Sequence, residues 1–183
     1  MNSPIVSNGV NVAVFFQTTA RVTFGSASKV STSIRTPVQT RRTGDLGYLS
    51  AFTKAGTVDV ARAEFPFRAN ENSLCFLVNG MPPMIDVDDA SLVDRAALAA
   101  NPAYAALLKA HPNLAIFPGP RSGPSAVKGY LLGDGAQRFE VDYVLVDGCH
   151  ACARVGILRL AFQFDASGRF LGTGVLAVRP ARR

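Results

Sequence analysis

The sequence predicts an α+β fold: a curved antiparallel sheet of about five or six strands, with two or three short helices packed on one face. Three observations carry this expectation. Phe139, Val141, Tyr143 and Leu145 alternate with Glu140 and Asp142, and Leu158, Leu160, Phe162 and Phe164 alternate with Arg159, Gln163 and Asp165. A period of two marks strands with one face buried. Between the strand-like runs, NPAYAALLKAHPN places Tyr104, Leu107, Leu108 and His111 at helical spacing, one face of a helix.

Taken in chain order, Val10 to Phe24 is rich in β-branched and aromatic residues and reads as a strand. The small, polar GSASKVSTSIRTPVQTRRTG next to it reads as a linker. Composition changes near residue 44, which divides a basic Ser/Thr-rich arm and linker (1–44) from a single α+β domain (45–183). DLGYLSAFTKAG sets Leu46, Leu49 and Phe52 on one helical face and ends at Gly56, so a short helix is expected there. In TVDVARAEFPF the apolar set changes parity between Val60 and Ala61, which predicts a strand with a bulge at that step. SLCFLVNG is a short apolar strand ending in a turn, and the prolines of NGMPPMIDVDD keep it extended.

Ser91 and Asp94 fit the start pattern of one helix. Asn101 with Pro102 fits that of a second, which Pro112 ends. A short strand in NLAIFP, a Pro/Gly loop, two strands around GDG, a turn at DASG and a last strand in RFLGTGVLAV complete the chain. The C-terminal part is thus a three- to four-stranded meander. Cystatin-like and nuclear-transport-factor-like cones share this layout, an analogy of architecture that carries no function.

Composition narrows the class. With 183 residues, 48% of them apolar and 17% charged, the chain is an ordered globule of one domain's length. No run reaches the roughly 18 apolar residues of a membrane span. The net charge of +6 is concentrated: residues 1–44 hold Arg21, Lys29, Arg35, Arg41 and Arg42 and no acid, leaving +1 for the rest. That arm also holds 13 Ser and Thr, a composition shared with transit peptides, although its pattern is that of β structure. Arg35, Arg41 and Arg42 could meet phosphates, but no aromatic is interleaved with them, so nucleic acid is disfavoured as a partner.

Chemistry concentrates in Cys149-His150-Ala151-Cys152, placed in the central connection of the meander. Four readings stay open: a redox pair, part of a zinc site, a disulfide stapling a hairpin, and two unpaired thiols. Redox reactivity calls for a helix N-terminus at the first cysteine, whereas a strand is expected after the second. A zinc site built on Cys149, His150 and Cys152 needs a distant fourth ligand such as Cys75 or His111. Covalent haem is excluded because Ala153 stands where its histidine would be. A staple would place the protein in an oxidising, extracytoplasmic (periplasmic or secreted) setting. Cys75 reads as a core thiol.

Asp86 and Asp88 fall on one side of an extended segment and could hold a hard cation, the alternative being a solvated strand end with Asp89 or Ser91 capping the next helix. No phosphate loop, dinucleotide fingerprint or nucleophile elbow occurs. The leading expectation is a non-catalytic binding domain that takes a protein partner or an apolar small molecule on the sheet face, with no cofactor other than a candidate zinc. A thiol-disulfide or zinc protein centred on the Cys-His-Ala-Cys loop is the first alternative. An enzyme with a cone-type pocket, using Asp142 or Tyr143 as acid or base, is the second.

Overall fold

The computed structural model describes residues 37–39, 46–69, 72–119, 127–149 and 151–181. The strand expected over Val10–Phe24, the arginines of the basic arm and the Pro/Gly loop at 120–126 lie outside the described residues.

Strands dominate, with two short helices. β1 (Pro37–Gln39), β2 (Leu46–Thr53), β3 (Asp59–Glu64), β4 (Ser73–Val78) and β5 (Met84–Asp86) form one antiparallel sheet in that order. A 3-10 turn at Ala90–Leu92, α1 (Arg95–Ala99) and α2 (Pro102–Ala110) come next. The second sheet holds β6 (Leu114–Pro118), β7 (Val127–Leu131), β8 (Gln137–Asp147), β9 (Arg154–Phe164) and β10 (Phe170–Pro180). β6 and β7 share one edge of β8, and β9 and β10 continue from its other edge as the expected meander. Among the described residues, no helix is long and apolar enough to cross a membrane.

The strands therefore divide into two sheets of five where the sequence led us to expect one. The reason lies in β3 and β4, which are apolar on both faces. Val60, Cys75 and Leu77 turn toward the second sheet, while Ala61, Ala63, Phe65, Leu74, Phe76 and Val78 form a separate buried cluster on the opposite face. A strand buried on both sides reads as a continuous apolar run rather than an alternating one. The bulge expected between Val60 and Ala61 is not there: β3 pairs β4 without a shift from Asp59↔Val78 to Glu64↔Ser73.

A bulge does occur in the neighbouring strand, and it explains a second correction. The segment expected to be a helix over Leu46 to Gly56 is β2. Its register slips by one between Leu49↔Ala63 and Ala51↔Arg62, leaving Ser50 as the extra residue. Leu49 and Phe52 consequently pair with Ala63 and Ala61 on the same face although they are three apart. An extra residue in a strand turns a spacing of two into a spacing of three, which imitates helical periodicity.

The helices behave as their caps dictate. Asp94, rather than Ser91, caps α1 by accepting a hydrogen bond from the Ala97 amide at 2.9 Å. Asn101 caps α2 through the amides of Ala103 and Tyr104, with Pro102 in the first turn, where no backbone donor is needed. Both helices pack against β10, and Leu98 and Leu107 enter the core between the sheets.

That core joins Val58, Leu77, Ile85 and Val87 of the first sheet and its loops to the inward residues of β8 and β9. Phe139 meets Phe164 edge-on with ring centroids 5.8 Å apart, and Phe170 closes over Phe164 at 5.2 Å. Burying each such ring contributes on the order of 2–3 kcal/mol.

One end of the two layers is fastened by polar contacts. Gln137, 2% exposed at the start of β8, accepts a hydrogen bond from the Val58 amide at 2.7 Å through Oε1. Its Nε2 donates to the carbonyls of Ala55 and Val58, both at 3.0 Å. Asp59, also buried, accepts from the Ala55 amide and from Asn79 Nδ2, each at 2.8 Å, and so shapes the loop that Gln137 grips. Beside it, the Met81 amide donates to the Gly168 carbonyl and the Phe170 amide to the Met81 carbonyl, both at 2.8 Å, so the β4–β5 loop is stitched to the β9–β10 turn. Gly168 has φ +82°, and a Cβ there would lie 2.8 Å from the Thr57 methyl, so any other residue would strain the turn.

Replacing Gln137 with Leu keeps similar bulk but leaves three backbone groups without their partner. We expect a loss of about 2–4 kcal/mol in urea unfolding, against less than about 0.5 kcal/mol for the exposed Gln163→Ala.

Candidate functional site: a cleft between the sheets

Beside this fastening the sheets part. The inward residues of β2 and β3 (Ala51, Thr53, Val60 and Arg62) face the inward residues of β7 (Val127, Gly129 and Leu131) across a cleft of about 670 Å³. Cys75 of β4 contributes to its wall, and Lys54 and Ala55 line it where β2 ends. The local reason is register. The bulge at Ser50 turns Ala51 and Thr53 inward, and direct pairing of Val127, Gly129 and Leu131 with Val141, Phe139 and Gln137 puts the β7 residues on the inner face. Small side chains at Ala51, Ala55 and Gly129 leave the gap unfilled. A cleft of this volume is of the size that takes small molecules.

The wall is mostly apolar, and the charged residues on it among the described ones, Lys54 and Arg62, are both cationic. Arg62 is half-buried; its Nε donates to Ser50 Oγ at 3.1 Å and lies 3.3 Å from Glu64 Oε1. Cys75 is 3% exposed and outside any disulfide, a core thiol as its surroundings in SLCFLV suggest. None of these lining residues except Cys75 is marked out as a candidate by sequence reasoning, because no local pattern shows where two sheets separate.

The residues that the sequence does single out lie elsewhere. Cys149 and Cys152 are joined in a disulfide, Cα–Cα 5.0 Å, in the β8–β9 connection, and both are exposed. The Cys152 amide donates to the Cys149 carbonyl, and the Asp147 amide to the Ala153 carbonyl, so the pair closes the tip of a hairpin. The next element is β9, a strand, which supplies no helix dipole to activate a thiolate. His150 lies outside the described residues.

Near the same end, His111 Nδ1 and Asp147 Oδ2 are 2.8 Å apart, both partly exposed. His111 closes α2, and Asp147 is the last residue of β8. The contact orients the imidazole, but among the described residues no hydroxyl hydrogen-bonds His111, and a base without a nucleophile is an incomplete catalytic set. Sequence reasoning finds His111 on its helix face but not its partner, which is 36 positions away.

Asp86 and Asp88 form a turn, Asp86 Oδ1 accepting the Asp88 amide at 2.9 Å, and Asp89 Oδ1 takes the Ser91 amide at 2.9 Å. Among the described residues, no group of three or more His, Cys, Asp or Glu side chains could hold a metal ion.

Asp142 and Tyr143 are neighbours on β8 and so point to opposite faces, which prevents them from acting on one substrate together. Tyr143 is buried and its hydroxyl donates to the Val87 carbonyl. Asp142 faces outward against Arg159, whose Nε and Nη2 donate to its two oxygens at 2.6 and 2.8 Å. That hydrogen bonding holds the Asp142 carboxyl below the usual carboxylate range; partial burial works against it, and the charges of Arg159, Arg179 and Lys128 add to the lowering. A carboxylate held ionised in this way is a poor proton donor.

Because the folded pKa of Asp142 lies below its unfolded value, its pairing stabilises the protein above about pH 4 and ceases to as pH falls through the folded value. The pair is partly solvated, so we expect Asp142→Asn to cost about 0.5–1 kcal/mol at pH 7, with the gap between variant and parent closing in acid unfolding curves below pH 4. Separately, thiol titration of the unfolded, unreduced protein is expected to find one reactive thiol, Cys75, out of three cysteines. Family models, curated proteins and solved structures were all compared with the chain, and none matches.

Proposed function

We propose that the protein is a non-catalytic binding domain that takes an apolar small molecule in the cleft between the sheets. The observation that carries this reading is the cleft itself: about 670 Å³, walled mainly by small and aliphatic side chains. An apolar body seated there gains roughly 25 cal/mol for each Å² it removes from water. The binding unit is residues 45–183, with 1–44 as an accessory arm whose Pro37–Gln39 adds strand β1 to the first sheet. The likeness to cystatin-like and nuclear-transport-factor-like cones is one of layout and contributes nothing to the choice of ligand.

A small molecule is favoured over a protein partner because the apolar surface is concave and narrow rather than broad. We assign the Cys149–Cys152 disulfide to fastening the β8–β9 hairpin. Its closed loop is short, so the stabilisation is modest, on the order of 2 kcal/mol.

The uncharged dye Nile red tests the reading. We expect saturable fluorescence enhancement on the full chain, weakened at least about tenfold by Ala51→Phe, which puts a ring into the cleft from an exposed position at little cost in stability. Dye binding unaltered by Ala51→Phe would move the site elsewhere.

A further inference from the structure

We infer that the ligand is an elongated apolar carboxylate whose charged end rests against Lys54 and Arg62, an inference that rests on the cleft being the binding site. The cleft is asymmetric in charge: among the described residues, its wall carries no ionisable side chain apart from these two cations but the Cys75 thiol. Two acids touch polar groups of the wall: Glu64, 3.3 Å from Arg62 Nε, and the buried Asp59, which accepts from the Ala55 amide and from Asn79 Nδ2, each at 2.8 Å. Asp59 sits on β3 as well, but three residues from Arg62 and on the opposite face.

Arg62 is held as a receptor for a planar anion would be. Its Nε is engaged by Ser50 Oγ, which fixes the plane of the guanidinium. Among the described residues neither terminal nitrogen donates a hydrogen bond, so the outer fork is open to a ligand. A fork of this kind matches the two oxygens of a carboxylate. Lys54 makes no ion pair among the described residues and sits exposed at the end of β2, where a mobile ammonium can close over the same anion. Beyond the cations the described wall is mainly aliphatic, with Val60, Val127 and Leu131 on it, and its other polar side chains are the Thr53 hydroxyl and the Cys75 thiol. At about 30 Å³ for each water-sized group, the volume holds roughly 20 heavy atoms, enough for a medium-length chain and its head.

Titration of the full-length protein with decanoate, decanol and decylammonium separates the terms, since the three share one tail. We expect decanoate to bind about five- to tenfold more tightly than decanol, with decylammonium weakest. In Lys54→Gln and Arg62→Gln the decanoate-to-decanol preference should shrink toward unity. Equal affinity of decanoate and decanol in the parent protein, or a preference unchanged in both variants, would overturn the inference while leaving the cleft intact as an apolar site. Failure of all three compounds and of Nile red would remove the cleft reading as well, and the inference with it.

Discussion

A buried side-chain amide fastens the β2–β3 loop of the first sheet to the central strand of the second, beside the core and backbone bonds that also join the layers. Gln137 begins the central strand of the second sheet, yet its three hydrogen bonds go to Ala55 and Val58 in the β2–β3 loop of the first. Leaving those groups without partners in an apolar interior would cost a large part of a domain's net stability. The constraint is directional where the surrounding hydrophobic contacts are not, so it fixes where the loop sits on β8. Ala55 is at once an acceptor of that amide and part of the cleft wall. The position of the cleft therefore follows from the fastening.

Around this point the rest of the fold is a matter of which faces are apolar. β8 and β9 each turn an apolar face to the core and carry Arg138, Glu140, Asp142 and Arg159 on the other, where they form a half-buried ladder of alternating charge. β3 and β4 are apolar on both faces, which ties the first sheet to the second on one side and gives it a second buried cluster on the other. α1 and α2 cover the β10 side of the shared core. At the β2 and β7 side the described residues place nothing comparable between the sheets, and small residues line the gap.

Much of the second sheet is legible in the sequence, because period-two alternation from Phe139 to Leu145 and from Leu158 to Phe164 maps directly onto buried positions. The strand after Cys152 is legible for the same reason, and with it the hairpin setting of the disulfide. β2 looks helical in sequence because one extra residue at Ser50 puts Leu49 and Phe52 on the same face at helical spacing. The parity change at Val60 does mark a departure from simple alternation, but its cause is burial on both faces and not a bulge. Gln137 cannot be found from sequence: a lone polar residue opening a strand looks solvated, and its partners lie about 80 positions earlier. The cleft and the His111–Asp147 contact are hidden likewise, since each depends on segments brought together only by the tertiary fold.

The relation between the two layers, and with it the cleft, requires the Val58 amide to be locked to Gln137 in the folded protein. Amide hydrogen exchange measures this directly, since a donor fastened between the two layers exchanges only when they separate. Protection of Val58 equal to that of the Phe162 amide, deep in β9, is the predicted result. Exchange of Val58 as fast as that of the exposed hairpin residue Ala151 would contradict it.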